Sequence, residues 1–276
     1  KKRQRHTSSL NDYKTQSALR FLMRLDHALG QKDQRLHETT EFALNSLLAA
    51  QFPNGAWAQV WVEPADMTQP TDRKARFPET WPREYPGGDY WFHYTFNDNN
   101  ISETITTLFL AEAIYGGGRY RAAAKKAGEF ILVAQLPEPQ PAWAQQYNFA
   151  MEPVWARKFE PPAVTGGESQ KLLDSLMLLT TELQDRRFLE PIPRALAYLR
   201  KSQLPDGQLA RFYELQTNRP LYFTKTYQLT YTDDDLPTHY GFQVPSKLDS
   251  IEGRFKSLDK KPVEKLKGRN WLADEL

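Results

Sequence analysis

Apolar residues recur at helical spacing in several stretches of the chain, and polar loops separate these stretches. Two stripes predict an opening pair of helices, since their members fall on one helical face: Ala18, Phe21, Leu22, Leu25 and Leu29, then an apolar run within 39–50. A third stripe consists of Ile101, Ile105, Leu108 and Ile114, and its helix is expected to end at Gly116, because glycine is a common helix stop. The helix that follows and pairs with it carries a fourth stripe: Tyr120, Ala123, Ala127, Phe130, Ile131 and Ala134. A last pair is predicted after Ser169, a candidate cap: Leu172, Leu173, Leu176, Leu179 and Leu183, then Ile192, Ala195, Leu196 and Leu199.

Three of the predicted helices end in the same signal, which is glutamine, one residue, and proline. The glutamines are Gln51, Gln135 and Gln203, and they stand 84 and 68 residues apart. A stop signal that recurs at this spacing indicates that one structural unit is reused. Helical hairpins in series predict a mainly α fold, an α/α toroid or incomplete (α/α) barrel, with an open solenoid as the alternative.

The loops that follow these signals are long and aromatic. The stretch 53–100 holds six prolines and four tryptophans, and 211–240 is rich in Tyr, Thr and Asp. Six of the seven tryptophans lie in the first two loop regions: Trp57, Trp61, Trp81, Trp91, Trp143 and Trp155. Long loops in a compact domain are usually functional or disordered, and the aromatic content argues against disorder. We therefore expect function on the loop face, in one domain spanning 11–250 between a basic tail at 1–10 and a charged C-terminal tail at 251–276.

Composition excludes several classes of protein. The absence of cysteine rules out disulfides, thiolate metal sites and cysteine nucleophiles. A net charge of +2, with no basic stripe, disfavours a nucleic-acid partner. No run of 18 apolar residues is present, so no membrane span or membrane partner is expected.

The densest polar cluster is the segment 94–100, which reads Tyr-Thr-Phe-Asn-Asp-Asn-Asn just before a predicted helix. One interpretation is structural, with Asn99 or Asn100 capping the helix and Asp98 favoured by its dipole. The other is a site, because carboxylate and amide oxygens bind hard cations such as Ca²⁺ as well as sugars. Both interpretations stay open, and Asn97 belongs to the same cluster.

Basic residues beside aromatic residues mark two further segments. Arg157 and Lys158 lie in a loop that two prolines and two glycines constrain before the next helix. The third segment carries further cations: Arg211, Arg219 and Lys225. These side chains are either solvated or, since a guanidinium binds a carboxylate through two parallel hydrogen bonds, they recognise an acidic saccharide. Because all three segments follow the same repeat signal, we predict that they converge.

Four segments carry a recognisable pattern: FNDN at 96–99, AWAQQ at 142–146, WARKFEPPAVTGGES at 155–169 and ARFYELQTNRPLY at 210–222. Together they resemble polysaccharide lyase family 10, the pectate lyases of α/α-toroid architecture. The arginine segment that runs into Gly-x-Glu-Ser is the most specific of them. The resemblance implies polygalacturonate as substrate, Ca²⁺ as cofactor, and a bacterial protein that is secreted or periplasmic. We further expect a monomer.

The resemblance also implies a reaction, which is β-elimination. A base removes the proton at C5 of galacturonate, and the glycosidic oxygen at C4 leaves. Arg157 takes the place of the base, and Asp98 and Asn148 those of the Ca²⁺ ligands, with Asp98 also catalytic. The pKa of a free arginine lies above about 12, so neighbouring cations and Ca²⁺ are expected to lower it. The remaining positions are assigned to substrate: Arg211, Arg219, Lys225, Lys158, Asn97, Asn99, Tyr90, Trp91 and Tyr147.

The chain departs from the family pattern at one point. After Trp-Ala-Gln-Gln the family continues with His-Asp, whereas this chain has Tyr147 and Asn148. The loss of one carboxylate is expected to weaken Ca²⁺ binding. Two alternatives follow: a pectin-binding protein that has lost turnover, and an α/α glycoside hydrolase that uses paired carboxylates such as Asp98 and Glu160.

Overall fold

The structure is a computed structural model, and it describes residues 7–273 of the 276-residue chain. This part of the chain forms seven α-helices: α1 (Lys14–Ala28), α2 (Gln34–Ala49), α3 (Asn100–Tyr115), α4 (Arg119–Ala134), α5 (Gly166–Leu183), α6 (Ile192–Lys201) and α7 (Leu248–Asp259). It also forms ten short strands: β1 (Ser8–Ser9), β2 (Val60–Trp61), β3 (Tyr94–Thr95), β4 (Gln146–Tyr147), β5 (Ala163–Thr165), β6 (Leu209–Ala210), β7 (Phe212–Glu214), β8 (Pro220–Phe223), β9 (Leu229–Thr230) and β10 (Gln243–Val244).

The helices and strands repeat as one β-α-α-β unit. In the first unit β1 precedes the hairpin α1–α2, β2 follows it, and the two strands pair antiparallel. The second unit repeats this with β3, α3, α4 and β4, and the third with β5, α5, α6 and β7. Strand β10 and helix α7 begin a fourth unit, and β10 pairs with β6. The three predicted hairpins in series are confirmed.

Each Gln-x-Pro signal closes the loop that leaves its hairpin. Gln51 Nε2 donates to the carbonyls of Gly55 and Ala123, the first in its own loop and the second in α4. Gln135 Nε2 likewise donates two hydrogen bonds, to Pro141 O at 2.8 Å and to Pro191 O at 3.1 Å. The glutamine amide thus satisfies backbone acceptors in two segments at once, which fixes the loop against the next helix.

The strands of successive units are joined at equivalent alanines. Ala58 bridges to Tyr94 of the second unit, and Ala144 bridges to Val164 of the third. Ala210 pairs in the same way with Gln243. These bridges line up the strands at one end of the helix pairs, so the loops that carry the candidate site residues leave from one face.

The first helix of each unit forms an inner row, in which α1 packs on α3, α3 on α5 and α5 on α7. The central helices α3 and α5 are buried on most of their surface, with α4 packed against both. The row curves without closing into a barrel, since α7 begins a unit that has no second helix within the described residues. The architecture is therefore an incomplete α/α toroid, as predicted.

Helix α1 corrects one predicted stripe. Phe21 is 65% exposed, and Leu25 and Leu29 are also exposed. The buried face consists of Gln16, Leu19, Met23 and Asp26. Two of these four residues are polar, so the apolar pattern pointed to the wrong side of the helix.

The predicted tails are partly structured. Leu10 is fully buried and follows β1, so the chain joins the fold before the predicted boundary at residue 11, while residues 1–6 of the predicted basic tail lie outside the described part. Segment 251–273 is not a solvated tail, because it holds most of α7, buries Leu266, and stacks Trp271 on Phe109 of α3 with ring centroids 5.9 Å apart. No helix of residues 7–273 combines the length and apolar character of a bilayer span.

Candidate active site

Asp98 lies between β3 and α3, at the strand end of the second unit. Burial raises the pKa of its carboxyl above the usual value, Arg157 and Arg211 act in the opposite direction, and Asp12 and Glu160 add to the rise. Charges from three sequence-distant segments therefore act on one carboxyl. The predicted convergence of the Asp98, Arg157 and Arg211 segments agrees with this arrangement.

The backbone conformation at Asp98 is unusual, and the chain adopts it at two places. Asp98 and Asn99 have φ of 51° and 55°, in the left-handed region, and Asp12 and Tyr13 have φ of 52° and 59° before α1. Asn and Asp are the non-glycine residues that tolerate this region best, which accounts for three of these four residues, with Tyr13 as the exception. The two turns contact each other, and Asn99 Nδ2 donates to the Tyr13 hydroxyl at 2.7 Å.

The alternative that this cluster is only a helix cap is not supported. Neither Asn99 nor Asn100 makes a side-chain cap bond at the start of α3. Asn97 is buried, and its amide donates to Asp98 Oδ2 at 3.1 Å. Asn97 therefore orients the Asp98 carboxylate and presents little surface to a sugar, contrary to its predicted contact with substrate.

Arg157 is bound by a carboxylate that the prediction did not pair with it. Its Nε donates to Glu160 Oε2 at 2.8 Å and its Nη2 to Glu160 Oε1, and the Glu160 side chain is almost fully buried. Burial alone lowers the pKa of Arg157, but the hydrogen bonds and charge of Glu160 outweigh it and raise that pKa. The expected lowering of the Arg157 pKa is thus wrong, and a base at this position is not supported.

Tyr240 stands between the two arginines. The Arg157 guanidinium carbon lies 5.4 Å from the centroid of its ring, and that of Arg211 lies 4.8 Å away. The Tyr240 hydroxyl donates to Glu160 Oε1 at 2.9 Å. Since both oxygens of Glu160 are engaged in this way, Glu160 offers no free carboxyl for the glycosidase alternative.

Arg211 is held by backbone rather than by an acid. Its Nε donates to Gly241 O, and its peptide N–H donates to Phe242 O at 2.7 Å. Within residues 7–273 no carboxylate lies within ion-pair distance of its guanidinium, whereas Arg157 has Glu160. Glu168, in the first turn of α5, is buried, and burial raises its pKa while Arg211 lowers it.

The predicted aromatic and lysine contacts lie around this cluster. Tyr90 is half-buried, and both Arg157 and Glu160 act on its hydroxyl electrostatically. Trp91 is exposed, with its ring 5.2 Å from that of Tyr90. Lys158 places its ammonium 3.5 Å from the centroid of the Tyr227 ring. Trp91 and Lys158 remain accessible, as a substrate contact requires.

Tyr147 and Asn148 do not have their predicted roles. Tyr147 is fully buried, donates to Ala134 O at 2.7 Å and accepts from the peptide N–H of Ala144, so it has no surface for substrate. Tyr213 makes the equivalent bonds one unit later. Asn148 Oδ1 already accepts two backbone N–H groups, from residues 150 and 152, which occupies both of its lone pairs.

Arg219 and Lys225 also make contacts away from Asp98. The guanidinium carbon of Arg219 lies 3.4 Å from the centroid of the Tyr231 ring. Lys225 Nζ forms an ion pair with Asp235 Oδ1 at 3.0 Å. Both side chains lie on the sheet formed by β5, β7, β8 and β9 and its connections. The predicted role of these two cations in binding the carboxylates of the substrate gains no support from these contacts.

The residues present do not fit the implied Ca²⁺ site. Of the two predicted ligands, Asn148 has no free lone pair, which leaves Asp98 as a single carboxylate. Across residues 7–273, no three His, Cys, Asp or Glu side chains gather as metal ligands would. Ca²⁺ binds through six to eight oxygens, so one carboxylate is not a sufficient protein contribution.

Three residues of the cluster were missed or misassigned, and two of them had a signal in the sequence. Glu160 stands three residues after Arg157, a spacing that allows an ion pair across one turn. Glu168 lies in the Gly-Gly-Glu-Ser run at the start of α5. Tyr240 had no local signal, because it reaches the site from a loop 80 residues away from Glu160.

The fold and the cluster define an α/α-toroid protein whose strand face carries arginines and carboxylates. A family 10 polysaccharide lyase from Cellvibrio cellulosa has this fold, with a TM-score of 0.68 and 20% identity over 92% of this chain and 82% of the lyase. A mutant of the Cellvibrio cellulosa family 10 lyase in complex with trigalacturonic acid gives the same values. None of the curated proteins matches the chain. The chain belongs to the pectic acid lyase family, whose family model matches residues 1–210.

Proposed function

We propose that this protein is a pectate lyase that cleaves polygalacturonate by β-elimination, as a secreted or periplasmic monomer. Membership of the pectic acid lyase family and the trigalacturonic acid bound to the structural relative support the substrate class. The single observation that carries the proposal for this chain is that Arg157 and Arg211 both lie over the Tyr240 ring and both act on the charge of Asp98. A uronate carboxylate needs cations at such a place, and an elimination needs a base beside them.

The two arginines take different roles in the proposal. Arg157 is kept protonated by Glu160, so it acts as a fixed positive charge beside the substrate carboxylate. Arg211 has no carboxylate partner within the described residues and is the better candidate for the base. In its neutral, deprotonated form Arg211 would take the C5 proton, the C5–H electron pair would form the C4–C5 double bond, and the C4–O bond would break, with Asp98 or water giving a proton to the leaving oxygen.

Charge stabilisation is the larger requirement of this reaction. The C5 proton is weakly acidic, and its removal places negative charge on the carboxylate of the substrate. A preorganised guanidinium beside that charge is the kind of group that stabilises a transition state electrostatically. Asp98, oriented by Asn97, would hold the sugar in register or return a proton to the leaving oxygen.

Ca²⁺ remains an expectation from the resemblance, and no step above passes through it. If the ion participates, the substrate must supply most of its ligands, since Asp98 is one carboxylate. A titration of activity with Ca²⁺ and with EGTA decides this point. Equal rates under both conditions would remove the cofactor from the proposal.

The test uses polygalacturonate and the ultraviolet absorbance of the unsaturated uronate product. Arg211→Lys is expected to lower kcat by about a thousandfold, while Arg157→Lys mainly raises KM, because one removes the base and the other a binding charge. Arg219→Lys is the matched control and should stay close to the unmodified protein, since Arg219 stacks on Tyr231 outside the cluster.

The second candidate is a protein that binds pectin without turnover. The loss of a free ligand at Asn148 favours it. Retardation in a pectin-containing gel, with no unsaturated product at any pH or Ca²⁺ concentration, would establish this alternative and reject the lyase.

A further inference from the structure

A cavity of about 290 Å³ opens between the long loop of the first unit and the segment that leads to Arg157. Its walls include Trp81, Tyr90 and Trp155. The rings of Trp81 and Trp155 have centroids 6.3 Å apart at an interplanar angle of 59°. Pockets that enclose small ligands begin at about 300 Å³, so this volume suits a single sugar ring.

The cavity adjoins the segment that carries Arg157. Trp155 and Ala156 line it and directly precede Arg157 in the chain. Tyr90 lines it as well, and the charges of Arg157 and Glu160 both act on the Tyr90 hydroxyl. A saccharide bound along the strand face would therefore place a neighbouring ring in this cavity.

The charge of the cavity lining is the reverse of that around Arg157. Asp89 and Glu152 line the cavity, and no Lys or Arg does so among the described residues. Arg76 pairs with Glu152 at 2.8 Å, which leaves Asp89 as the uncompensated charge. Burial lowers the pKa of His93, so its ring is neutral near pH 7 and adds no positive charge. The guanidinium carbon of Arg83 lies 4.0 Å from the centroid of the Trp81 ring, but Arg83 is paired with Glu214. A uronate carboxylate in this cavity would therefore meet Asp89 and no unpaired cation of the lining.

The polar groups of the lining suit hydroxyls. The exposed Asp89 carboxylate can accept hydrogen bonds from sugar hydroxyls, whereas His93 Nδ1 is buried and offers them no contact. The Trp155 indole N–H is already used, since it donates to Pro82 O at 2.8 Å, so Trp155 contributes its ring face and edge. Aromatic faces with one such acceptor match the C–H surface and hydroxyls of an uncharged pyranose.

We infer that this cavity is a subsite for an uncharged pyranose ring, either a methyl-esterified galacturonate or a neutral hexose, next to the uronate held by Arg157 and Arg211. The inference rests on the proposed function for its orientation along a saccharide, but not on catalysis. It assigns to the protein a preference for chains in which a charged ring is followed by an uncharged one.

The test measures binding to the full chain by calorimetry and tryptophan fluorescence. The probes are trigalacturonate, its methyl-esterified form and galactotriose, which separate ester tolerance from a preference for neutral hexose. At least one uncharged probe is expected to bind and to quench tryptophan emission. Trp81→Phe should weaken that binding by about threefold to tenfold and reduce the quench, since stacking area on the indole is lost.

A charge reversal keeps the inference testable without disturbing the core. Asp89 is exposed, so Asp89→Lys leaves packing intact and is expected to raise affinity for trigalacturonate relative to the uncharged probes by about fivefold. Asp72→Lys makes the same charge change on the same loop but outside the lining. It should change the ratio by less than about twofold.

Three results would overturn the inference. They are the absence of binding by both uncharged probes, an unchanged affinity in Trp81→Phe, and equal effects of Asp89→Lys and Asp72→Lys. The failure of the proposed function is a separate result, since it would appear as a lack of unsaturated product while the uncharged probes still bind.

Discussion

The glutamine that ends each hairpin allows one substitution to be compared at matched positions of the same fold. We predict that Gln135→Met destabilises the protein strongly, while Gln203→Met does so weakly. Gln135 is buried, with 6% of its surface exposed, and its amide donates to two backbone carbonyls while its Oε1 accepts from Arg194. Gln203 donates to Gly207 O at 2.9 Å and Ser246 Oγ at 3.3 Å, close to solvent.

The expected losses of stability depend on whether the carbonyls that accept from the glutamine find another donor. Methionine has nearly the volume of glutamine, so packing changes little, but the two buried carbonyls lose their donor. A buried polar group without its partner costs about 1–3 kcal/mol, which gives a loss of about 2–4 kcal/mol at Gln135. At Gln203 water replaces the donor, and the loss should stay below about 1 kcal/mol.

Urea unfolding followed by far-ultraviolet circular dichroism measures both losses, with an unchanged m-value as the check on two-state behaviour. Gln51→Met provides a third point and should resemble Gln135→Met, because Gln51 is also buried and also bridges two segments. Equal losses at Gln135 and Gln203 would refute the argument that burial of the acceptors sets the cost.

Three further predictions concern pH, packing and the C-terminus. The hydrogen bond that the His37 ring donates to Asp26 raises the pKa of His37. The stabilisation from this bond is complete below about pH 6.5 and is lost as pH rises through the folded-state pKa, so the slope of unfolding free energy against pH above about 6.5 should become shallower in His37→Gln. Gly166→Ala should cost about 2 kcal/mol or more in urea unfolding because its Cβ would lie 2.3 Å from a backbone carbonyl, whereas Gly167→Ala, whose nearest neighbour is 3.9 Å away, should stay within about 0.5 kcal/mol. Deletion of residues 260–276 should lower the thermal midpoint, since it removes a buried leucine and a stacked tryptophan worth about 2–4 kcal/mol; an unchanged midpoint would restore the interpretation as a free tail.

The parts of the fold that were predicted from sequence depend on local chemistry. The stop at Gly116 needs only a residue that accepts positive φ, and the backbone there has φ of 66°. The Gln-x-Pro loops close mainly through bonds within a few residues, such as Gln51 to Gly55 and Gln203 to Gly207. Signals of this kind are complete within a short window, so they can be identified without knowledge of the partners.

The errors arose where distant segments decide the outcome. Helix α1 lies at the edge of the inner row and buries only one side. Its buried Gln16 and Asp26 each use one polar atom to bond groups outside the helix: Gln16 Nε2 donates to Leu10 O, and Asp26 Oδ2 bonds His37 and Tyr115. Polar residues with such partners resemble solvent-facing residues in the sequence. The pKa of Arg157 was predicted wrongly for a similar reason, because it depends on Glu160 and on burial by the distant loop that carries Tyr240.

The strand register shows how one position of the repeat acquired different chemistry in each unit. Ser8, Tyr94 and Val164 face equivalent residues of their partner strands, and an acid follows each of them after four residues. The three acids are Asp12, Asp98 and Glu168.

Their surroundings differ in exposure and in charge. The Asp12 side chain is 59% exposed and pairs with Lys14, while Glu168 is buried with one oxygen lacking a partner among the described residues. Asp98 is intermediate, partly buried and under the influence of both Arg157 and Arg211. A carboxyl that is too exposed is screened by water, and one that is fully buried cannot reach a saccharide. The second unit therefore offers the one acid of these three that combines access with strong coupling to cations, which is why the site forms where the second and third units meet.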